Sequence, residues 1–289
     1  MISIAITAYK EPVTVKKAIT SILNQNLKNF ELIVCAPDKE TLEAAKQTYK
    51  KVKLIKDPGK GKPTALNLIF KKAKGNLIIL TDGDVYVGDN SLNFLLEKFS
   101  NPKIGAVSGR PVPINKRNNF WGYISYLLTD MADRLRKKLA KEGKFFVCSG
   151  YLYAIRKGPV KEIPPNILSD DAYASKIIWD KGYKIAYAPE AKVFVKYPTN
   201  LKDWLKQKVR STGGYEQLKK IFGKKVMRSF MQEAFGILEV LKYPRSLKEF
   251  IWTTFLIILR AYLWAKIFID IKLRKKQFRE IWVRIESTK

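Results

Sequence analysis

The chain has 289 residues, 46% of them hydrophobic, with 55 Lys and Arg against 26 Asp and Glu, no histidine and a net charge of +29. That length and apolar content suffice for one large α/β domain, or a domain with an appendage, and exclude a disordered chain. The absence of histidine removes the commonest general base and zinc ligand, so acid–base chemistry falls to carboxylates. Two cysteines, Cys35 and Cys148, cannot make a disulfide framework and suit a reducing, cytosolic compartment. The basic excess implies an anionic partner: nucleic acid, acidic phospholipid or a phosphorylated substrate.

In chain order, residues 2–8 read as a strand rather than as a signal peptide, because no basic start or cleavage site accompanies them. Helical spacing over 13–23, an apolar strand at 30–35, a helix at 39–49, a strand at 52–55 and a helix at 63–74 follow. The very apolar Leu77-Ile78-Ile79-Leu80 completes a parallel, nucleotide-binding style half. A strand at 104–113, a long helix at 120–141, a strand at 151–155, an acidic turn leading into a helix, and a strand at 192–197 form the second half. Beyond Asn200 the chain becomes helical and basic, with 21 Lys and Arg against 8 Asp and Glu.

Asp82-Gly83-Asp84 follows a buried strand, where ligands sit in such sheets. Its glycine permits a sharp turn that offers two carboxylates to a hard cation, Mn²⁺ or Mg²⁺. Upstream, glycines and lysines from Pro58 to Lys62 stand directly before a helix, so backbone amides and ammonium groups can face phosphate; the spacing is not that of a Walker loop. Ser169-Asp170-Asp171 opens a helix, where Ser169 or Asp170 can cap it and two adjacent carboxylates can raise one another's pKa.

Gly61-Lys62-Pro63-Thr64-Ala65-Leu66-Asn67, Ala73-Lys74-Gly75-Asn76 and Thr81-Asp82-Gly83-Asp84, taken together, resemble the donor-binding stretch of family-2 inverting glycosyltransferases with the GT-A fold. Val147-Cys148-Ser149-Gly150-Tyr151, Ser169-Asp170-Asp171 and Gln207-Lys208-Val209-Arg210 resemble later motifs of the chitin, hyaluronan and cellulose synthase branch. The resemblance implies a mixed, mostly parallel sheet between helices. It also implies donor contacts from Thr7, Ala8, Tyr9, Glu11, Asp38, Lys60, Gly61, Lys62, Asn67, Asp82, Gly83, Asp84, Ser149 and Gly150. The metal would fall to Asp84 and Asp82, the base to Asp171 beside Asp170, and the leaving diphosphate to Gln207 and Arg210. Two departures stand out. Where the family has an aspartate pair after the second strand, near the donor's base, this chain reads Cys35-Ala36-Pro37-Asp38, and Ser211 replaces the tryptophan that follows Arg210 in the synthases, which favours addition of a single sugar.

Residues 250–271 are apolar enough to cross a bilayer, but Arg260 lies at their middle, with Lys266 and Asp270 beyond. Thr253, Arg260, Lys266 and Asp270 share one side of a helical wheel, and basic residues flank both ends, which predicts an interfacial helix; a core-packing helix is the other reading. The expectation is a catalytic domain over 1–214, divided near residue 100, and an amphipathic, membrane-associating tail over 215–289. The expected partners are a nucleotide-diphospho-sugar, a lipid-linked or glycan acceptor and an anionic membrane on its cytoplasmic face, and no nucleic acid. A nucleotidyltransferase, or a basic module that binds nucleic acid or membrane without catalysis, is the alternative.

Overall fold

The computed structural model describes residues 1–223, 237–269 and 286–288. Its centre is an eight-stranded sheet in the order β3-β2-β1-β4-β7-β6-β8-β5. Strands β1 (Ile2–Thr7), β2 (Phe30–Ala36), β3 (Lys53–Lys56) and β4 (Leu77–Asp82) are mutually parallel. The nearly unbroken apolar runs of β1, β2 and β4 reflect burial on both faces: Ile4 and Ile6 point into one core with α1 (Thr14–Leu23) and α2 (Lys39–Thr48), while Ala5 points into another with α3 (Lys62–Lys72); β3, at the sheet edge, buries only Ile55. The register sets Thr7 opposite both Cys35 and Asp82, so the carboxyl ends of β1, β2 and β4 lie level.

The second half joins by antiparallel pairing of β4 with β7 (Leu152–Arg156) and of β7 with β6 (Ile104–Pro113). Strand β8 (Lys184–Val195) runs parallel to β6 and carries β5 (Tyr86–Val87) at the edge. The sequence pattern shows only the last part of β8, because Pro189-Glu190 interrupts its alternation; pairing with β6 on both sides of a register shift holds the strand together. Neither β5 nor α4 (Ser91–Glu97) is read from periodicity, since both are short and owe their form to tertiary contacts. Helix α5 (Phe120–Lys141) covers the boundaries expected for it, with the Asn119 side chain accepting from Gly122 N at its start. Helix α6 (Asp170–Asp180) packs with α3 against the second core.

The expected division after Gly214 falls inside a continuous helix, α7 (Leu201–Phe222). Gly213 and Gly214 are buried, and a Cβ on Gly214 would lie 2.1 Å from Ser169 Oγ. Gly214 therefore permits close packing over the start of α6.

Helices α8 (Ile237–Leu241) and α9 (Leu247–Ile267) follow. Arg117 forks onto Glu249 with Nε–Oε1 at 3.3 Å and the second bond at 3.4 Å, Tyr123 Oη lies 2.6 Å from Thr253 Oγ1, and Tyr243 donates to Asp130 Oδ2 at 2.7 Å. Leu256 and Leu259 share a third apolar cluster with Tyr123, Ile124 and Leu127 of α5 and Trp204 of α7. The polar side expected of this helix is thus partly its packing side, because Thr253 is wholly buried there. The opposite side exposes Leu247, Phe250, Ile251, Phe255, Ile258 and Tyr262. Asp270 and the basic stretch 272–279 lie outside the described residues.

Candidate active site

The level carboxyl ends of β1 and β4 bring Thr7 and Asp82 together, and Thr7 Oγ1 donates to Asp82 Oδ1 at 2.9 Å. Gly83 N returns to Thr7 O at 2.9 Å, which folds the Asp82-Gly83-Asp84 turn beneath the loop after β1. Any Cβ on Gly83 would lie 2.5 Å from Glu11 Oε2 and 2.7 Å from Ala8 Cβ, so the turn demands glycine. Ala8 and Glu11 therefore border the two aspartates.

Helix α3 begins after Gly61, whose φ of 100° is one that L side chains rarely adopt. This turn aims Lys62 inward. Its Nζ donates to Asp82 Oδ1 at 2.6 Å, lies 3.5 Å from Gly150 O and reaches Asp170 Oδ2 at 3.9 Å. Burial works against the ammonium charge, but Asp82, Asp170 and Asp171 outweigh it and raise its pKa.

Asp170 and Asp171 stand in the first turn of α6. Asp171 Oδ2 accepts from Gly150 N at 3.0 Å and Oδ1 from Ala172 N at 2.8 Å. Burial first, then repulsion from Asp170, raises the Asp171 carboxyl to about 6, with Lys62 and the two N–H donors partly opposing. Burial likewise raises Asp170, whose Oδ2 accepts no hydrogen bond and meets Lys62 only at ion-pair distance. Ser169 is the N-cap residue but makes no side-chain capping bond, and Asp170 is the first helical residue, so neither side chain takes the capping role open to it in the sequence.

Helix α7 lays Gln207 across this group, its Nε2 donating to Tyr151 Oη at 3.3 Å. Arg210 is near enough for its charge to favour ionisation of both Tyr151 and Asp170. Tyr151 is a site residue that the sequence reading passed over. Its carbonyl accepts from Thr81 Oγ1 at 2.8 Å, its ring packs edge-on against Tyr197, and burial, then Asp84, raises its hydroxyl pKa. Its position directly after Ser149-Gly150 was the available signal.

Not every expected donor contact faces this centre. Asn67 clamps the loop before α6, accepting from Ile163 N and donating to Ile163 O, both at 2.8 Å, so its amide is consumed by backbone. Asp38 caps α2 by accepting from Thr41 N at 3.0 Å and tethers the loop after β1 through Lys10 N at 2.8 Å. Lys60 is exposed, Tyr9 is 37% exposed, and buried Ser149 is held through its backbone N by Ser108 Oγ. The carboxylates of Asp82 and Asp84 are hard oxygen donors of the kind Mg²⁺ and Mn²⁺ prefer, and the glycine-only turn brings them beside Glu11. Among the described residues no group of three or more His, Cys, Asp or Glu that could hold a metal ion forms.

A parallel nucleotide-binding half, an Asp-Gly-Asp turn on its carboxyl edge and the Asp170-Asp171 pair, linked to that turn through Lys62, define a glycosyltransferase of the GT-A fold. The chain belongs to Glycosyl transferase family 2, whose domain matches residues 3–163. It is 25% identical over 232 residues to the poly-beta-1,6-N-acetyl-D-glucosamine synthase of Staphylococcus epidermidis, and 25% identical over 234 residues to that of Staphylococcus aureus strain COL. Each match covers 76% of this chain and 56% of the relative, so the chain spans little more than half the length of these proteins. Among solved structures, the mannosyltransferase PcManGT from Pyrobaculum calidifontis in complex with GDP-Man and Mn²⁺ aligns with a TM-score of 0.63 at 17% identity, covering 97% of this chain and 82% of that one. TarS of S. aureus aligns with a TM-score of 0.54 at 13% identity, covering 86% and 46%.

Proposed function

We propose that the protein transfers one sugar, with inversion, from a nucleoside-diphosphate donor to a hydroxyl or phosphate acceptor carried on a lipid. The observation that carries this reading is the juxtaposition of Lys62, Asp82 and the Asp170-Asp171 pair within one site. Asp171 takes the proton of an acceptor hydroxyl as its oxygen attacks the anomeric carbon; a phosphate acceptor, already anionic, needs no base. The bond from that carbon to the donor's β-phosphate oxygen breaks, and the nucleoside diphosphate leaves. Lys62 and Arg210 oppose the charge that develops on the leaving group, and the Gln207–Tyr151 contact orients α7 over it. Asp82 and Asp84 would hold Mn²⁺ or Mg²⁺, which supplies Lewis-acid stabilisation of the diphosphate. The GDP-Man and Mn²⁺ bound to PcManGT support the donor class and the metal, and the synthase relatives support glycan chemistry. Ser211, in place of the synthase tryptophan, supports a single addition.

The acceptor's lipid is met at the outer side of α9. This helix is 21 residues long and apolar enough to cross a membrane, but one side is already buried against α5 and α7; Lys242 and Arg245 precede it in the chain and Lys248 stands in its first turn. That arrangement favours a helix lying in the interface of an anionic cytoplasmic leaflet. The deciding assay is release of nucleoside diphosphate from UDP-, GDP- and dTDP-sugars with Mn²⁺, with and without EDTA, on anionic vesicles containing a polyprenyl phosphate. Metal-dependent release stimulated by the polyprenyl phosphate is expected; no release from any donor would refute the reading.

A further inference from the structure

Several cations beside α5 are held by carboxylates: Arg110 of β6 reaches Asp130 at 3.4 Å and Asp133 at 3.6 Å, Lys137 reaches Asp133 at 2.8 Å, and Arg117 forks onto Glu249. Arg136, half-buried on the same helix, is not. Its Nε donates to Val147 O at 3.2 Å, and among the described residues its guanidinium makes no ion pair and no second hydrogen bond. A guanidinium is a planar fork of N–H donors, so most of them remain, and none of those is sealed from solvent. A half-buried cation in this state is a ready receptor for an anion that the fork can hold by two bonds.

Its surroundings tie this cation to the catalytic aspartates. The stretch from Val147 to Gly150 is pinned by Cys148 N on Ser175 Oγ at 3.0 Å and by Ser149 N on Ser108 Oγ at 2.9 Å. At its far end Gly150 N donates to Asp171, and Gly150 O lies 3.5 Å from Lys62 Nζ. Lys62 and Arg136 therefore stand at opposite ends of a fixed stretch that spans at most about 11 Å. Tyr197 lines the space beside Arg136. Its backbone is clamped by Asn115 at 2.8 and 3.0 Å, and its ring packs against Tyr151, which accepts from Gln207 of α7. Burial first, then Tyr151, raises the Tyr197 hydroxyl pKa, with Arg136 close enough to oppose them, so the hydroxyl stays a donor. Among the described residues that hydroxyl has no hydrogen-bond partner, and it too is not sealed from solvent. The helices that supply Arg136 and Gln207, α5 and α7, are also the two that hold α9.

We infer that Arg136, with the Tyr197 hydroxyl, binds the phosphate group of a prenyl-type acceptor at a place separate from the donor's diphosphate. Two anions that must meet are thereby held by separate cations, Lys62 for one and Arg136 for the other, which offsets their repulsion. The inference rests on the lipid-linked acceptor proposed above and deepens it: the lipid is recognised by its phosphate as well as by its apolar chain.

The test is calorimetric titration of the full chain with geranyl phosphate, inorganic phosphate and geraniol, in Mn²⁺ and saturating nucleoside diphosphate so that the donor's place is filled. The wild type should bind geranyl phosphate at least about tenfold more tightly than geraniol, as expected for a charged hydrogen-bonded pair. Arg136→Gln can still donate to Val147 O, and it should lose that preference with nucleoside diphosphate binding and melting temperature unchanged. Tyr197→Phe keeps the ring against Tyr151 and should weaken geranyl phosphate about fivefold, the effect of one neutral hydrogen bond. Inorganic phosphate should bind more weakly than geranyl phosphate; equal binding would make free phosphate the ligand and overturn the lipid assignment. Equal affinity for geranyl phosphate and geraniol, or wild-type affinity for geranyl phosphate in Arg136→Gln, would overturn the inference itself. Failure of every nucleoside diphosphate to bind would instead remove the donor reading, and the same comparison of wild type with Arg136→Gln, made without nucleotide, would still decide the role of Arg136.

Discussion

Replacing Asp171 by asparagine isolates the carboxyl on which the proposed chemistry depends. The amide keeps the size of the side chain and can still accept from Gly150 N, so the fold should persist, while transfer to a hydroxyl acceptor should fall about 10²–10⁴-fold, the usual range for a lost general base. The pH profile gives a sharper magnitude. A base works deprotonated, and burial with repulsion from Asp170 puts this one at about 6, so activity is present above that value and lost as pH falls through it. With that pKa the base is about one-tenth ionised at pH 5 and nearly fully ionised at pH 8, so kcat/KM should be about tenfold lower at pH 5, along a limb of unit slope. Asp170→Asn removes the neighbouring negative charge that raises the Asp171 pKa, so it should move this limb to lower pH. The assay is initial-rate release of nucleoside diphosphate between pH 4.5 and 8.5 at fixed Mn²⁺. A limb near pH 6 that survives in Asp171→Asn, or that moves upward in Asp170→Asn, would refute the reasoning.

Asp84→Asn should abolish metal-dependent thermal stabilisation by nucleoside diphosphate, worth about 2.7 kcal/mol at a ligand concentration one hundred times its Kd, with the unliganded melting temperature unchanged; a retained Mn²⁺-dependent shift would remove Asp84 from the metal site. Gly214→Ala must place a methyl group within 2.1 Å of Ser169 Oγ and should cost about 1–3 kcal/mol in a denaturant melt, whereas Gly182→Ala, which meets nothing within 4 Å, measures backbone strain alone. The double variant Phe255→Glu, Ile258→Glu changes the exposed row of α9, losing one tilted ring contact between Phe255 and Phe120, and should weaken flotation with anionic vesicles about a hundredfold while sparing hydrolysis of a soluble donor. Undiminished flotation would mean that another surface holds the membrane.

Local chemistry writes much of this protein into its sequence. The nearly unbroken apolar runs of β1, β2 and β4 announce strands buried on both faces, and the 3.6-residue spacing of 120–141 defines α5, because each depends on residues close in the chain. The Asp-Gly-Asp turn and the Asp170-Asp171 pair are legible for the same reason: each is a short run whose chemistry depends on adjacent residues and on the end of the element that bears it. What sequence could not say is which polar groups are already spent. Asn67 and Asp38 look like ligand contacts but are consumed by Ile163, Thr41 and Lys10, partners as much as 96 residues away. Tyr151 gains its importance from Gln207 on helix α7, 56 residues away. The wheel of α9 distinguishes two sides, but only packing against α5 and α7 decides that Thr253 is turned inward and Phe255 and Ile258 outward. The physical reason is common to all of these: periodicity and spacing record where backbone and burial place a side chain, whereas hydrogen-bond saturation and desolvation are set by groups that only the folded chain brings within reach.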